Sequence, residues 1–510
     1  MRKNLVARGV AAFAVVSALA MPALLGKSVA VAQDQAPPLP ANCVVVGQGL
    51  LNPRSVVVGE DGSMYVIETG DGGEEAVFPM TGEGTPTPAE PISMRGGTGQ
   101  VTKIAADGTA SVLATGLPSY TFGTEVVGPA AGALVGDVLY VAVGGPGPGT
   151  PVVDPVEYQN SVVAIDVNSG EMSVVADINS YELANNPDGL GIDSNLFGIA
   201  AGDGVLFVAD AGGNTVYKID IASGELSVFA VIPGIPAPGM ANAERGGAEE
   251  LDPVPTSIIV NEDGSLAVGV LSGGPFPPGA AGYYAVAADG TVGEYTSGLT
   301  MVMSLGTGPD GLIYATSFAA DLIAGNPFGS VTRVNEDGSM SVVVPGLMLG
   351  SGIAFDANGS LLTIAFSSME PGTPASGVLL SCDTSDEAVA GAVAAAEAMA
   401  AAMAGGESTP EEADSGDSAA MTEVTIEAVD IAYNTDTLEI PADTDVMITV
   451  TNNGVAAHDF VIEGTDFKTD YLNGGETVSI TVNLPAGEYV FFCSVPGHRA
   501  AGMVGTLIVK

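Results

Sequence analysis

The chain has 510 residues, enough for two or three domains, and sets 60 acidic side chains against 13 Lys and Arg, a formal net charge of −47. Nucleic acid and anionic lipid are recognised by clustered Lys and Arg, so this balance excludes both as partners and favours basic proteins and cations. The same acids keep a chain with 70 glycines in solution.

Arg2, Lys3 and Arg8 precede an apolar run over 9–26, and Ala30-Val31-Ala32 stands before Gln33. Residues 1–32 therefore read as a signal peptide, which makes the expected location the periplasm, the cell surface or the exterior. An uncleaved anchor is the alternative reading of this run, although Pro22 interrupts it. Residues 33–42 form a Pro-rich leader. No later segment is apolar enough to span a membrane; 388–404 comes closest, but it is mostly alanine and contains Glu397.

From 43 to 382 the sequence repeats. One unit is an apolar strand, a tight Asp-Gly or Asn-Gly turn and a second strand, at 56–66, 198–208, 257–268, 305–315 and 353–363, with a looser copy at 128–142. A second unit alternates with it at 101–112, 163–174, 217–228, 283–293 and 331–342. Such turns between β-rich runs are strong hairpin signals. Alternating hairpins at this period predict the blades of a six-bladed β-propeller. The sixth outer hairpin is supplied by the chain ends: the run opening at Cys43 completes the sheet that ends at Cys382. Those two cysteines then meet on neighbouring strands, and a disulfide between them would lock the ring, with roughly 4–5 kcal/mol from loop closure.

This region resembles the ScyD/ScyE family of exported propellers. The resemblance rests on Leu51-Asn52-Pro53-Arg54, on Tyr65-Val66-Ile67-Glu68-Thr69-Gly70 and on the Asp-Gly hairpins. It implies a fold and little chemistry. Residues 383–422 read as a linker, an Ala-rich helix over 387–403 followed by a flexible acidic stretch over 407–420.

The last domain, 423–510, shows seven or eight short β-patterned runs, which suit a Greek-key sandwich. The protein's only two histidines, His458 and His498, both lie here, beside Cys493, the cysteine left over from the expected disulfide. Cys493 to Met503 places a thiolate, an imidazole and a thioether on one loop, and His458 arrives from an earlier strand. Two imidazoles, one thiolate and an axial thioether select copper; zinc takes thioethers poorly. The pattern resembles the cupredoxins, the plastocyanin, azurin and auracyanin relatives. That resemblance implies His458, Cys493 and His498 as equatorial ligands and Met503 as the axial one. Four residues separate Cys493 from His498, as in auracyanin-type loops. With two histidines a trinuclear or second copper centre cannot be built, so one mononuclear type 1 site is expected.

Two functional classes stay open. In one, the chain is an electron carrier, without catalysis, whose propeller docks a partner, and its acidity suits a basic redox protein of cytochrome c type. In the other, the propeller is an oxidoreductase or a calcium-dependent hydrolase with the copper domain as tethered acceptor. Glu68, Asp71, Asp188, Asp210 and Asn214 are the candidate calcium residues, and Arg54 and Arg245 the candidate substrate anchors.

Overall fold

A computed structural model describes residues 39–77, 93–122, 125–148, 156–243, 245–323, 326–368 and 376–404, and then 422–429, 432–433, 435, 437–452, 458–462, 465, 467–469, 472, 477–493 and 503–510. The expected signal peptide, most of the leader, the 407–420 stretch and His498 lie outside the described residues. The chain divides into two units, Met1–Ala404 and Gly405–Lys510.

Among the described residues the first unit holds six antiparallel sheets of four or more strands, and a two-stranded one that pairs Ile235–Pro236 with Glu250–Leu251. Four of them join consecutive strands in chain order, beginning at Pro129–Val135, Leu196–Ala201, Pro255–Val260 and Val302–Thr307. The sheet that starts at Pro53–Val58 carries two extra short strands, Glu75–Val77 and Glu125–Val127. The remaining sheet combines Ser351–Phe355, Leu361–Ala365 and Gly377–Cys382 with Cys43–Leu50 from the start of the chain. Cys43 stands opposite Cys382 in that last pairing, and a disulfide joins them.

Burial follows position in the sheet. Second strands such as Leu266–Val270 and Leu361–Ala365 are buried along their whole length; the first is an unbroken run of small and branched apolar residues and the second is interrupted only by Thr363. Fourth strands such as Leu226–Val231 have several exposed positions. The Asp-Gly turns supply the reversals. At the first, Gly62 takes φ +79°, open to glycine and costly for other residues, while Asp61 Oδ1 accepts from Ser63 N at 2.9 Å. The same Asp-to-backbone bond recurs at Asp107, Asp263, Asp289 and Asp337.

Apolar clusters join each sheet to the next. Tyr65 and Ile67 of the first sheet pack with Leu139 and Val163 of the second. Equivalent clusters follow around the unit. A last one brings Leu362 and Leu379 back against Val56 and Val66, so the packing closes on itself. The first strands of the six sheets neighbour one another in the same cyclic order.

Two helices are described. α1, Ile178–Asn185, starts where Asp177 caps Ser180 N and ends at Asn186 in the left-handed conformation. α2, Asp386–Ala404, covers the Ala-rich segment. It packs on the strand Met340–Met348 with Ala392 buried, so it belongs to the first unit and is not a free-standing connector.

The second unit holds two four-stranded sheets. One orders Ala432–Tyr433, Thr422–Val429, Val446–Asn452 and Thr477–Val482; the other orders Thr437–Ile440, Val504–Val509, Gly487–Phe492 and Val461–Ile462. Along Val446–Asn452 buried and half-buried residues alternate strictly, the period-2 signature of a strand with one face on a core. Ile448, Val450, Phe460, Phe491 and Leu507 form that core.

Candidate metal centre

Cys493 directly follows the strand Gly487–Phe492, and Met503 directly precedes Val504–Val509. These strands pair antiparallel with Phe492 opposite Val504, and Cys493 N donates to Met503 O at 3.1 Å. The ladder therefore brings the thiol and the thioether to one end of the sheet, and both side chains are fully buried with Ala428.

His458 reaches the same place by a separate route. Its N–H donates to Leu472 O at 3.0 Å, and Leu472 N donates back at 2.6 Å. Asn452 Nδ2 also donates to Leu472 O, at 2.7 Å. Thus Leu472 and the end of Val446–Asn452 hold the histidine backbone. Its imidazole is fully buried, with Nδ1 3.9 Å from Cys493 Sγ. The neighbouring segment is fixed by Phe460 N donating to Thr469 Oγ1 and Thr469 N donating to Phe460 O. Beneath lies an aromatic floor. Phe460 and Phe491 stack at 5.1 Å, Tyr433 stands edge-on to both, and its hydroxyl donates to Asp459 O.

Three of the four expected ligands are thus assembled from two parts of the chain, and His498 lies outside the described residues. An imidazole nitrogen, a thiol and a thioether, shielded from water, form a soft to borderline donor set that suits copper. Sequence reasoning had no handle on Asn452, Thr469 or Tyr433. Asn452 precedes Asn453-Gly454 and reads as a turn residue, not as the buried support of a histidine backbone.

Residues 393–509 match the family model described as a cupredoxin-like domain. The C-terminal unit carries a cupredoxin-like domain. Over 42 residues the chain is 52% identical to auracyanin-B of Chloroflexus aurantiacus, covering 8% of this chain and only 18% of that protein. Among solved structures, the reduced auracyanin of Roseiflexus castenholzii is 24% identical over 18% of this chain and 99% of its own, with a TM-score of 0.17. An auracyanin B structure is 26% identical over 19% and 93%, also with a TM-score of 0.17. Rusticyanin of Thiobacillus ferrooxidans is 24% identical over 18% and 79%, with a TM-score of 0.16.

Outside the cupredoxin-like domain the candidate calcium residues do not converge. Glu68 and Asp71 belong to the first sheet; Asp188, Asp210 and Asn214 lie around the third. Glu68 is fully buried and accepts from Leu51 N, Gln100 and Thr102; burial raises its pKa and those bonds oppose the rise. Asp71 N donates to Thr98 Oγ1 at 3.0 Å, a loop contact. Asp210 accepts from Ser194 and from the backbone of Asn195, Gly212 and Gly213, and burial pushes its pKa up to about 6. Asp188 accepts from Leu190 N and Asn214 Nδ2. Among the described residues no group of three His, Cys, Asp or Glu is arranged to hold a metal ion. No described helix is long and apolar enough to cross a membrane. Of the two candidate anchors, Arg245 is engaged by Asp252 at 2.6 Å and Glu250 at 3.6 Å, whereas Arg54 is buried beside a cavity.

Proposed function

We propose that this chain is an exported electron-transfer protein in which the cupredoxin-like domain holds one type 1 copper and residues 43–382 form a six-bladed propeller that docks a partner. The observation that carries the reading is the buried triplet of His458 Nδ1, Cys493 Sγ and Met503 at the end of one sheet. His498, five residues beyond Cys493 with Ser494, Val495, Pro496 and Gly497 between, would complete the set. When bound, copper supplies one-electron redox chemistry. The chain's own part is to hold the donors in place. The Cys493–Met503 backbone bond fixes the loop ends, and Leu472 fixes His458. The aromatic floor of Phe460, Phe491 and Tyr433 keeps water away. Donors held rigidly by preformed strands need little rearrangement between oxidation states. The 42-residue stretch that is 52% identical to auracyanin-B agrees with this reading, and auracyanin A is a blue copper protein.

The propeller reading draws on the six sheets, their closed cyclic packing and the joining of the first and last strands in one sheet. The leading segment, with its cationic start, apolar run and Ala30-Val31-Ala32, supports export.

From Glu423 onward 13 acids face Lys468, Arg499 and Lys510. Such a field steers a positively charged partner, and salt screens it. Stopped-flow reduction of the copper-loaded protein by a basic cytochrome c should slow several-fold between low and physiological ionic strength. Ala501→Glu should also slow it, by placing a charge among the small uncharged residues Pro496, Gly497, Ala500 and Ala501 that flank His498 and would let a partner approach closely. A rate that is flat or rises with salt would contradict the acidic docking surface.

A further inference from the structure

Residues 43–382 contain six cations, and the structure treats their arginines differently. Arg95 is buried and pairs with Glu75 at 2.7 Å; Arg245 pairs with Asp252. Arg54, 6% exposed, has no carboxylate oxygen within 4 Å among the described residues, in a chain with 60 acids. Its Nε donates to Thr69 Oγ1 at 3.3 Å and one Nη2 hydrogen goes to Val126 O at 3.0 Å. A guanidinium has five N–H donors, so both Nη1 hydrogens and one on Nη2 are left without a protein acceptor. Glu125 lies near enough to act on Arg54 through its charge but outside ion-pair reach, and burial pushes its own carboxyl up to about 7.

A cavity of about 110 Å³ lies where Arg54 sits, lined by residues from the first strands of all six sheets. That is well above the ~10–15 Å³ needed by one water. Arg54 is its one charged lining residue. Ser257, 8% exposed, also lines it, and its hydroxyl has no hydrogen-bond partner. Apolar side chains, Phe197, Met303, Leu305 and Ile353, share the lining with Ser55, Thr256 and Ser304, and the surface turned to the cavity is more polar than apolar. A buried cation with no carboxylate in ion-pair contact is costly, and an unused hydroxyl on another residue of the same lining adds to that cost. A small ligand whose negatively charged oxygens reach both groups would relieve both.

We propose that this cavity is a binding site for a small monocarboxylate, with the Nη1 and Nη2 hydrogens of Arg54 forming an end-on pair to the carboxylate. Such a fork suits a planar carboxylate. Ser257 supplies a further polar contact inside the cavity, and Phe197 and Met303 flank the alkyl tail. The single charged residue of the lining and the planar guanidinium fork favour a monocarboxylate over phosphate.

The test uses the full copper-loaded chain and butyrate as probe, with butyramide as the uncharged isostere and inorganic phosphate as the alternative anion. Calorimetric titration should give saturable one-site binding of butyrate, and butyramide should bind at least tenfold more weakly. Arg54→Gln should lose at least tenfold in butyrate affinity, and Ser257→Ala about two- to fivefold. The colour of the copper site should stay unchanged throughout, so this outcome is separate from that of the copper reading. No saturable butyrate binding to the wild-type chain would overturn the proposal, as would equal affinity for butyramide. The wild-type comparison stands even if Arg54→Gln does not fold. Phosphate binding more tightly than butyrate would overturn the ligand class.

Discussion

Glu182 shows how one buried acid couples stability to pH. It sits on α1, fully buried, and Tyr217 donates its hydroxyl proton to Oε2 at 2.9 Å. Burial pushes its pKa up to about 8, the Tyr217 bond opposes the rise, and the charges of Asp210, Asp188 and Asp193 add to it. The unfolded chain loses this proton near 4.5, whereas the folded chain keeps it to about 8. The contribution to stability is therefore full below pH 4.5 and declines as pH rises to about 8. Glu182→Gln removes the titration. Relative to wild type, its melting temperature should climb between pH 5 and pH 8, by on the order of a few degrees. Thermal melts at both pH values check this, and a difference that does not vary with pH would contradict it. At this scale the sequence was readable where residue type alone carries chemistry. His458, Cys493 and Met503 are distinctive donors, and the structure brings them together. Arg54 could be singled out as a rare cation, but its lack of a carboxylate in ion-pair contact could not, because that depends on where each distant acid lies.

Elements were legible wherever hydrophobic period and turn chemistry agree. The Asp-Gly hairpins at 56–66 and 257–268 correspond to paired strands, because the turn residues fix the reversal and the apolar runs fill the sheet. The sequence reading missed the length of the strands Ser93–Ile104 and Ala110–Phe122, since Gly96-Gly97 and Gly99 break any alternation that could announce them. It also missed α1, a short helix whose only local signal is the Asp177 cap. The Ala-rich stretch was readable as a helix from propensity. Its packing on Met340–Met348 was not, because a nearly all-alanine surface shows no amphipathic stripe. The clasp between Cys43–Leu50 and Gly377–Cys382 is the element with the largest leverage on the first unit. Its disulfide spans 339 residues. The double variant Cys43→Ala with Cys382→Ala should lose about 4–5 kcal/mol of stability in denaturant titration. It should leave copper uptake unchanged. A loss below about 1 kcal/mol would show that strand pairing alone closes the sheet.

For the whole molecule, the account rests on a cupredoxin-like domain whose donors are preformed by the strand framework. Two histidines, an extra cysteine and a methionine in one short segment made that domain the most readable part of the chain. The 43–382 unit was readable as repeated hairpins, but its ligand depends on which inward-facing side chains share one cavity. The central claim is the copper centre. The measurement that tests it most directly is the visible and electron paramagnetic resonance spectrum of the full chain after Cu(II) loading, beside that of Cys493→Ser. Wild type should bind one copper per chain and turn blue through thiolate-to-copper charge transfer, with the narrow copper hyperfine splitting of a type 1 site. Cys493→Ser should lose the colour while its strands remain folded. Stoichiometric copper without an intense visible band in the wild type, or a blue Cys493→Ser variant, would contradict the account.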